Sequence, residues 1–148
     1  MSAKEDLQFV DTNILVYAYD VSAGQKRALA KALVQKLWEN KAGCLSVQVL
    51  QEFYVNLTRK AAMPLDAELV AQIVEDLNAW RVHIPDGTDV LGAIRIQQKY
   101  QLNFWDAMII RSTSETGCAL LWSEDFSDGK VYEGVKVNNP FTQAVGLT

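Results

Sequence analysis

Short apolar runs alternate with longer segments in which apolar residues recur every three to four positions, from residue 7 to about residue 137. Leu7 to Val10 predicts a strand, stopped by the polar Asp11-Thr12-Asn13. Ile14 to Tyr19 is apolar throughout, and periodicity leaves helix and strand both open there. From Gln25 to about Lys41, Leu29, Leu33, Leu37 and Trp38 share one face among Lys and Gln, which predicts an amphipathic helix ended near Gly43. Cys44-Leu45 is a very short strand. Ser46 can then cap a helix from Val47 to about Lys60, because its hydroxyl can accept from the unpaired amides of the first turn.

Met63-Pro64-Leu65 breaks the pattern, and Asp66 caps a helix whose stripe is Leu69, Val70, Ile73, Val74, Leu77 and Trp80. Val82-His83-Ile84 before Pro85-Asp86-Gly87 reads as strand then turn, and Thr88 opens a helix to Tyr100. Another helix begins between Asn103 and Asp106 and ends at Gly117. Ala119 to Trp122 is a wholly apolar strand, Val135-Lys136-Val137 is the last, and the tail from Asn138 offers no further element. Wholly apolar strands between helices predict an α/β fold, a short parallel sheet covered by helices on both faces. The 148 residues, without a linker or repeat, are expected to form one domain with its core at about 7–137.

Composition narrows the function. With 49% hydrophobic residues, a chain of this length removes roughly two-thirds of its extended surface from water, so neither disulfides nor a structural metal is needed for stability. Cys44 and Cys118 lie in apolar stretches without zinc spacing and read as core thiols in a reducing compartment. No apolar run is long enough for a bilayer and no leader is visible, so a cytoplasmic protein without membrane contact is expected. The 18 acids against 14 Lys plus Arg argue against a broad basic face for duplex DNA, but not against a cut made at one acidic, metal-loaded point.

Four acids fall where ligands sit in open parallel sheets, beyond the carboxyl ends of the strands. Asp11 follows the first strand and Asp125 the strand ending at Trp122, Glu52 lies in the helix after the second strand, and Asp106 stands at a helix start. Each has a plain alternative: a turn residue for Asp11 and Asp125, an N-cap for Asp106, and a solvent-facing position beside Gln48 and Asn56 for Glu52. Together they are harder to dismiss. Two carboxylates about 4 Å apart repel by roughly 4 kcal/mol at an effective dielectric near 20, so several on one rim require a cation or protons. All-oxygen donors select a hard ion, Mg2+ or Mn2+ in its place.

Phe9-Val10-Asp11-Thr12-Asn13-Ile14-Leu15, Leu50-Gln51-Glu52-Phe53, Phe104-Trp105-Asp106-Ala107-Met108-Ile109-Ile110 and Leu121-Trp122-Ser123-Glu124-Asp125-Phe126 resemble, in order, the motifs of the PIN-domain ribonucleases. The size resembles that of the single-domain VapC-like toxins of bacterial toxin–antitoxin pairs. The resemblance implies a Mg2+-dependent endoribonuclease that leaves 5′-phosphate and 3′-hydroxyl ends. Asp11, Glu52, Asp106 and Asp125 would be its metal ligands, with Asn13 and Ser123 supporting them. The family often has another acid two residues past the fourth ligand; here that position is Ser127 and the next acid is Asp128, so both Asp125 and Asp128 are candidates, with Asp125 preferred. The resemblance further implies an RNA substrate, a VapB-like antitoxin and a homodimer.

Arg111, one turn beyond Asp106, is a candidate phosphate contact, and Lys26-Arg27 and Arg59-Lys60 are weaker ones. The lone His83, between Val82 and Ile84, is read as structural, and Phe104 and Trp105 as core packing in preference to base stacking. A haloacid-dehalogenase-like phosphatase would want a second Asp where Asn13 stands. A non-enzymatic receiver-like Mg2+ module would want paired acids after the first strand and a Lys where Asn138 stands.

Overall fold

The computed structural model describes residues 7–142. Its six strands are β1 (Gln8–Val10), β2 (Gly43–Ser46), β3 (Arg81–His83), β4 (Leu120–Trp122), β5 (Val131–Tyr132) and β6 (Val135–Asn138). They form one sheet in the order β3-β2-β1-β4-β6-β5, parallel except for the β5–β6 hairpin. The helices are α1 (Thr12–Tyr19), α2 (Gln25–Glu39), α3 (Val47–Val55), α4 (Ala67–Leu77), α5 (Gly87–Tyr100) and α6 (Phe104–Glu115). Right-handed crossovers place α1 to α4 on one face and α5 and α6 on the other. The packing agrees: α1 lies against α2 and α3, and α5 against α6.

The strands are short and apolar because both faces are covered. Phe9, Val10, Leu45 and Leu121 are fully buried, sandwiched with Ile14, Leu15, Phe53 and Ile110 from the helices. Ile14 to Tyr19 resolves as helix: Asp11 caps it, accepting from the Thr12 amide at 2.7 Å, and the first turn starts at once. Ser46 caps α3 as expected, but the chain leaves α-geometry at Asn56 for a five-residue π-helical segment ending at Lys60. Among the described residues no helix is long and apolar enough to cross a membrane.

Three expectations need correction. Trp80 is not part of the α4 stripe, because the helix ends at Leu77; its ring lies against Gly43 and tilts onto Trp38, with centroids 5.6 Å apart. Between Asp128 and the last strand, the chain makes an extra strand, β5. It turns back through Glu133 and Gly134, both in the left-handed region that a tight hairpin requires. The tail after Asn138 continues: the Asn139 side chain accepts from the Phe141 amide at 2.9 Å to open a helical turn. Phe141 is buried edge-on against Tyr17, so the core reaches beyond residue 137.

Candidate active site

Asp11 leaves β1 as its amide donates to the Trp122 carbonyl, extending the β1–β4 ladder by one rung. That fixes its side chain against Ser123, the residue after β4, whose hydroxyl donates to Asp11 Oδ2 at 2.7 Å. The same Ser123 oxygen accepts from the Asp125 amide at 3.0 Å, so one buried hydroxyl aligns both acids. Burial pushes the Asp11 carboxyl up to about 7; the fields of Asp125 and Asp106 add to this, and the bonds from Ser123 and Thr12 oppose it. Only 4% of Asp11 is exposed.

Glu52 does not face solvent freely. The Thr12 hydroxyl donates to its Oε1 at 2.6 Å and Gln48 Nε2 to its Oε2 at 3.3 Å, which tilts this face of α3 toward β1. Asp106 is not the cap of α6. Asn103 is: its Oδ1 accepts from the Asp106 amide at 2.8 Å, and its Nδ2 donates to Asp106 Oδ2 at 2.9 Å. Burial raises the Asp106 carboxyl, then the Asp125 charge, with Glu52 adding and Asn103 opposing. Asp125 is raised by burial first, then by Glu124 and Glu52, while Asn13 Nδ2, at 3.3 and 3.2 Å from its two oxygens, favours the ionised form.

Asp11, Glu52, Asp106 and Asp125, from four separated segments, therefore lie in one another's fields. Among the described residues no three carboxylate, imidazole or thiol groups are already drawn together as a metal site, and each acid instead accepts from its own neighbouring donor. Asp128 stands apart, accepting from the Asn139 amide at 2.7 Å at the root of the hairpin.

Arg111 also stands apart. Its Nε donates to Asp89 at 2.9 Å, and its guanidinium lies over Gly92, where a Cβ would come within 2.7 Å. His83 bridges Ser112 at 2.8 Å and Asp89 at 3.1 Å, in the structural role expected of it. Burial works against the Asp89 charge, but the Asp86 amide and Arg111 together with His83 hold its carboxyl below the usual range.

Lys26 is engaged rather than free, its Nζ 2.9 Å from Glu124 and over the Tyr17 ring, while the Tyr17 hydroxyl also donates to Glu124. Sequence reading missed Thr12, Asn103 and Glu124. A signal existed for two: Thr12 sits inside the Asp-Thr-Asn motif, and Asn103 stands at cap spacing from Asp106. Trp105, expected in the core, is 62% exposed.

An acidic rim on a parallel α/β sheet, built from the ends of β1 and β4, the middle of α3 and the start of α6, defines a class. The chain belongs to the PIN-domain family, whose model matches residues 9–128.

Among solved structures it is similar to a VapC toxin of Mycobacterium tuberculosis that cleaves the sarcin–ricin loop, at 20% identity and a TM-score of 0.63, covering 81% of this chain and 92% of that one. A toxin–antitoxin complex from Klebsiella pneumoniae matches at 17% identity and 0.66, covering 90% and 97%. DNA-bound VapBC from Salmonella typhimurium matches at 13% and 0.64, covering 90% and 98%. No sequence match was found among curated proteins.

Proposed function

We propose that the chain is a divalent-metal-dependent endoribonuclease acting as the toxin of a toxin–antitoxin pair. The observation that supports this best is the convergence of four carboxylates on one rim, in a chain of the PIN-domain family. The donors fit a hard cation: all are carboxylate oxygens, and three are pushed toward protonation by burial and by one another. Asp11, Glu52, Asp106 and Asp125 would hold Mg2+, or Mn2+ in its place. When bound, the ion would neutralise phosphate charge and lower the pKa of water.

The chain's own groups do the positioning. Ser123 and the Thr12 amide hold both oxygens of Asp11, Asn13 orients Asp125, Asn103 orients Asp106, and Thr12 with Gln48 orients Glu52. Releasing these bonds lets the carboxylates turn toward an ion. The solved neighbours that are toxin–antitoxin complexes support a VapB-like antitoxin as partner. A cytoplasmic location is supported by the two free thiols buried in apolar surroundings; the homodimer rests on the resemblance alone, and sedimentation of the purified chain checks it.

The test is cleavage of a broad RNA panel by protein freed of any partner. Activity should need Mg2+ or Mn2+, stop with EDTA, vanish in Asp106→Asn and leave 5′-phosphate ends. Protein that binds neither ion and leaves every RNA intact overturns the proposal.

A further inference from the structure

Beside the carboxylates, the end of β3 and the first turns of α3, α5 and α6 enclose an apolar groove of about 470 Å3. Ile84, Pro85, Val90 and Trp105 line it, with Phe104 meeting the Trp105 ring edge-on, centroids 5.0 Å apart at 78°. The Trp105 residue is 62% exposed and stands one residue from Asp106.

Gln48 lines the groove and joins it to the acidic rim. Its Nε2 donates to Glu52 at 3.3 Å and to the Trp105 carbonyl at 3.4 Å. Both partners only accept, which fixes the amide's orientation and leaves Oε1 buried without a donor. An orphaned acceptor of this kind costs stability until a donor reaches it. Gln48 lines the groove, and both Nε2 bonds are long and weak, so a donor entering the groove can draw Oε1 toward it by a turn of the carboxamide that gives them up.

We propose that this groove seats an unstacked nucleobase of the RNA strand beside the scissile phosphate. The base stacks on Trp105 and its exocyclic amino group donates to Gln48 Oε1, so adenine, cytosine and guanine are favoured over uracil. The proposal rests on the ribonuclease reading. The chemistry of the groove lining favours this occupant. Among the described residues no charged side chain lines the groove, so what it offers is a stacking face and one unpaired acceptor, which match a nucleobase and not a phosphate. A second copy of the chain docked here would instead bring two acidic rims together.

The experiment measures binding of labelled ten-residue oligo(A), oligo(U) and an abasic ribose-phosphate strand by anisotropy in EDTA, where nothing is cut. Wild-type protein should prefer oligo(A) to oligo(U). Trp105→Ala should weaken oligo(A) binding about five- to hundredfold, the range of one stacked base. Trp105→Phe should restore most of it, Gln48→Met should erase the preference for oligo(A), and Trp105→Ala should leave binding of the abasic strand unchanged. Undiminished oligo(A) binding by Trp105→Ala, or an equal loss on the abasic strand, overturns the subsite. So does a dimer that Trp105→Ala converts to a monomer, since that gives the groove to a second copy. Wild-type protein that neither binds nor cuts RNA overturns the ribonuclease reading as well, whereas cleavage untouched by Trp105→Ala overturns the subsite alone.

Discussion

Replacing Asp11 by Asn should alter stability in a way that depends on pH and reverses with metal. The carboxyl ionises near pH 7 in the folded, metal-free chain and near 3.9 once unfolded. A raised folded value means the contribution of the acid is favourable at low pH and is lost as pH rises through 7. Linkage puts the cost of Asp11 at about 1.5 kcal/mol at pH 5 and about 4 kcal/mol at pH 8.5. Asn carries no such cost. It keeps the acceptor for the Thr12 amide but presents an NH2 to Ser123, whose hydroxyl already accepts from Asp125, an offset of about 1 to 2 kcal/mol at every pH.

The offset cancels when the two pH values are compared, so the advantage of Asp11→Asn in EDTA should grow by about 3 kcal/mol between pH 5 and 8.5. In thermal melts that is a divergence of about 6 to 12 °C for a chain of this size. Saturating Mg2+ should close or reverse the gap, because the ion stabilises only the form that binds it. A gap that stays flat with pH would refute the argument that burial and neighbouring acids crowd Asp11.

Asp125→Asn should abolish RNA cleavage, whereas Asp128→Asn should retain most of it, since Asp128 holds the Asn139 amide and not the rim; equal losses in a cleavage assay would contradict this. Gly43→Ala should destabilise by about 1 to 3 kcal/mol in urea unfolding, because its methyl would sit 2.4 Å from the Trp80 ring. Asp89→Ala removes the shared partner of Arg111, His83 and the Asp86 amide and should cost about 3 kcal/mol in the same assay, while Arg111→Ala, which leaves the Asp89–His83 contact, should cost less.

Much of the arrangement was legible because it rests on local chemistry. Ser46, Asp66 and Gly117 mark helix ends through capping and left-handed turns, and wholly apolar strands imply a covered parallel sheet. What stayed hidden depends on tertiary contacts. Trp80 continues a helical period on paper, yet the opening above Gly43 takes its ring after the helix has ended. The hairpin turn is Glu133-Gly134, without the Asn or Asp that usually announces one.

Glu52 looks like surface beside Gln48 and Asn56 until Thr12, brought over by β1, donates to it. Trp105 sits within an apolar motif, yet it is 62% exposed beside the groove that Ile84 and Pro85 also line.

The pairing of β1 with β4 sets where insertions can be tolerated. Val10 lies opposite Trp122, so Asp11 and Ser123 leave the sheet side by side. Side chains alternate along a strand, and one residue added or removed between Ala119 and Ser123 would send the hydroxyl to the opposite face and part Asp11 from Asp125. Between Val131 and Gly134 the chain closes the β5–β6 hairpin at the sheet edge, where Tyr132 packs on Tyr100 and Phe126 and Glu133 pairs with Lys99, so a change of length there costs packing but leaves the β1–β4 register alone. Deletion scanning across residues 119–134 would therefore separate two effects, loss of cleavage from changes at 119–123 and loss of stability from changes at 131–134.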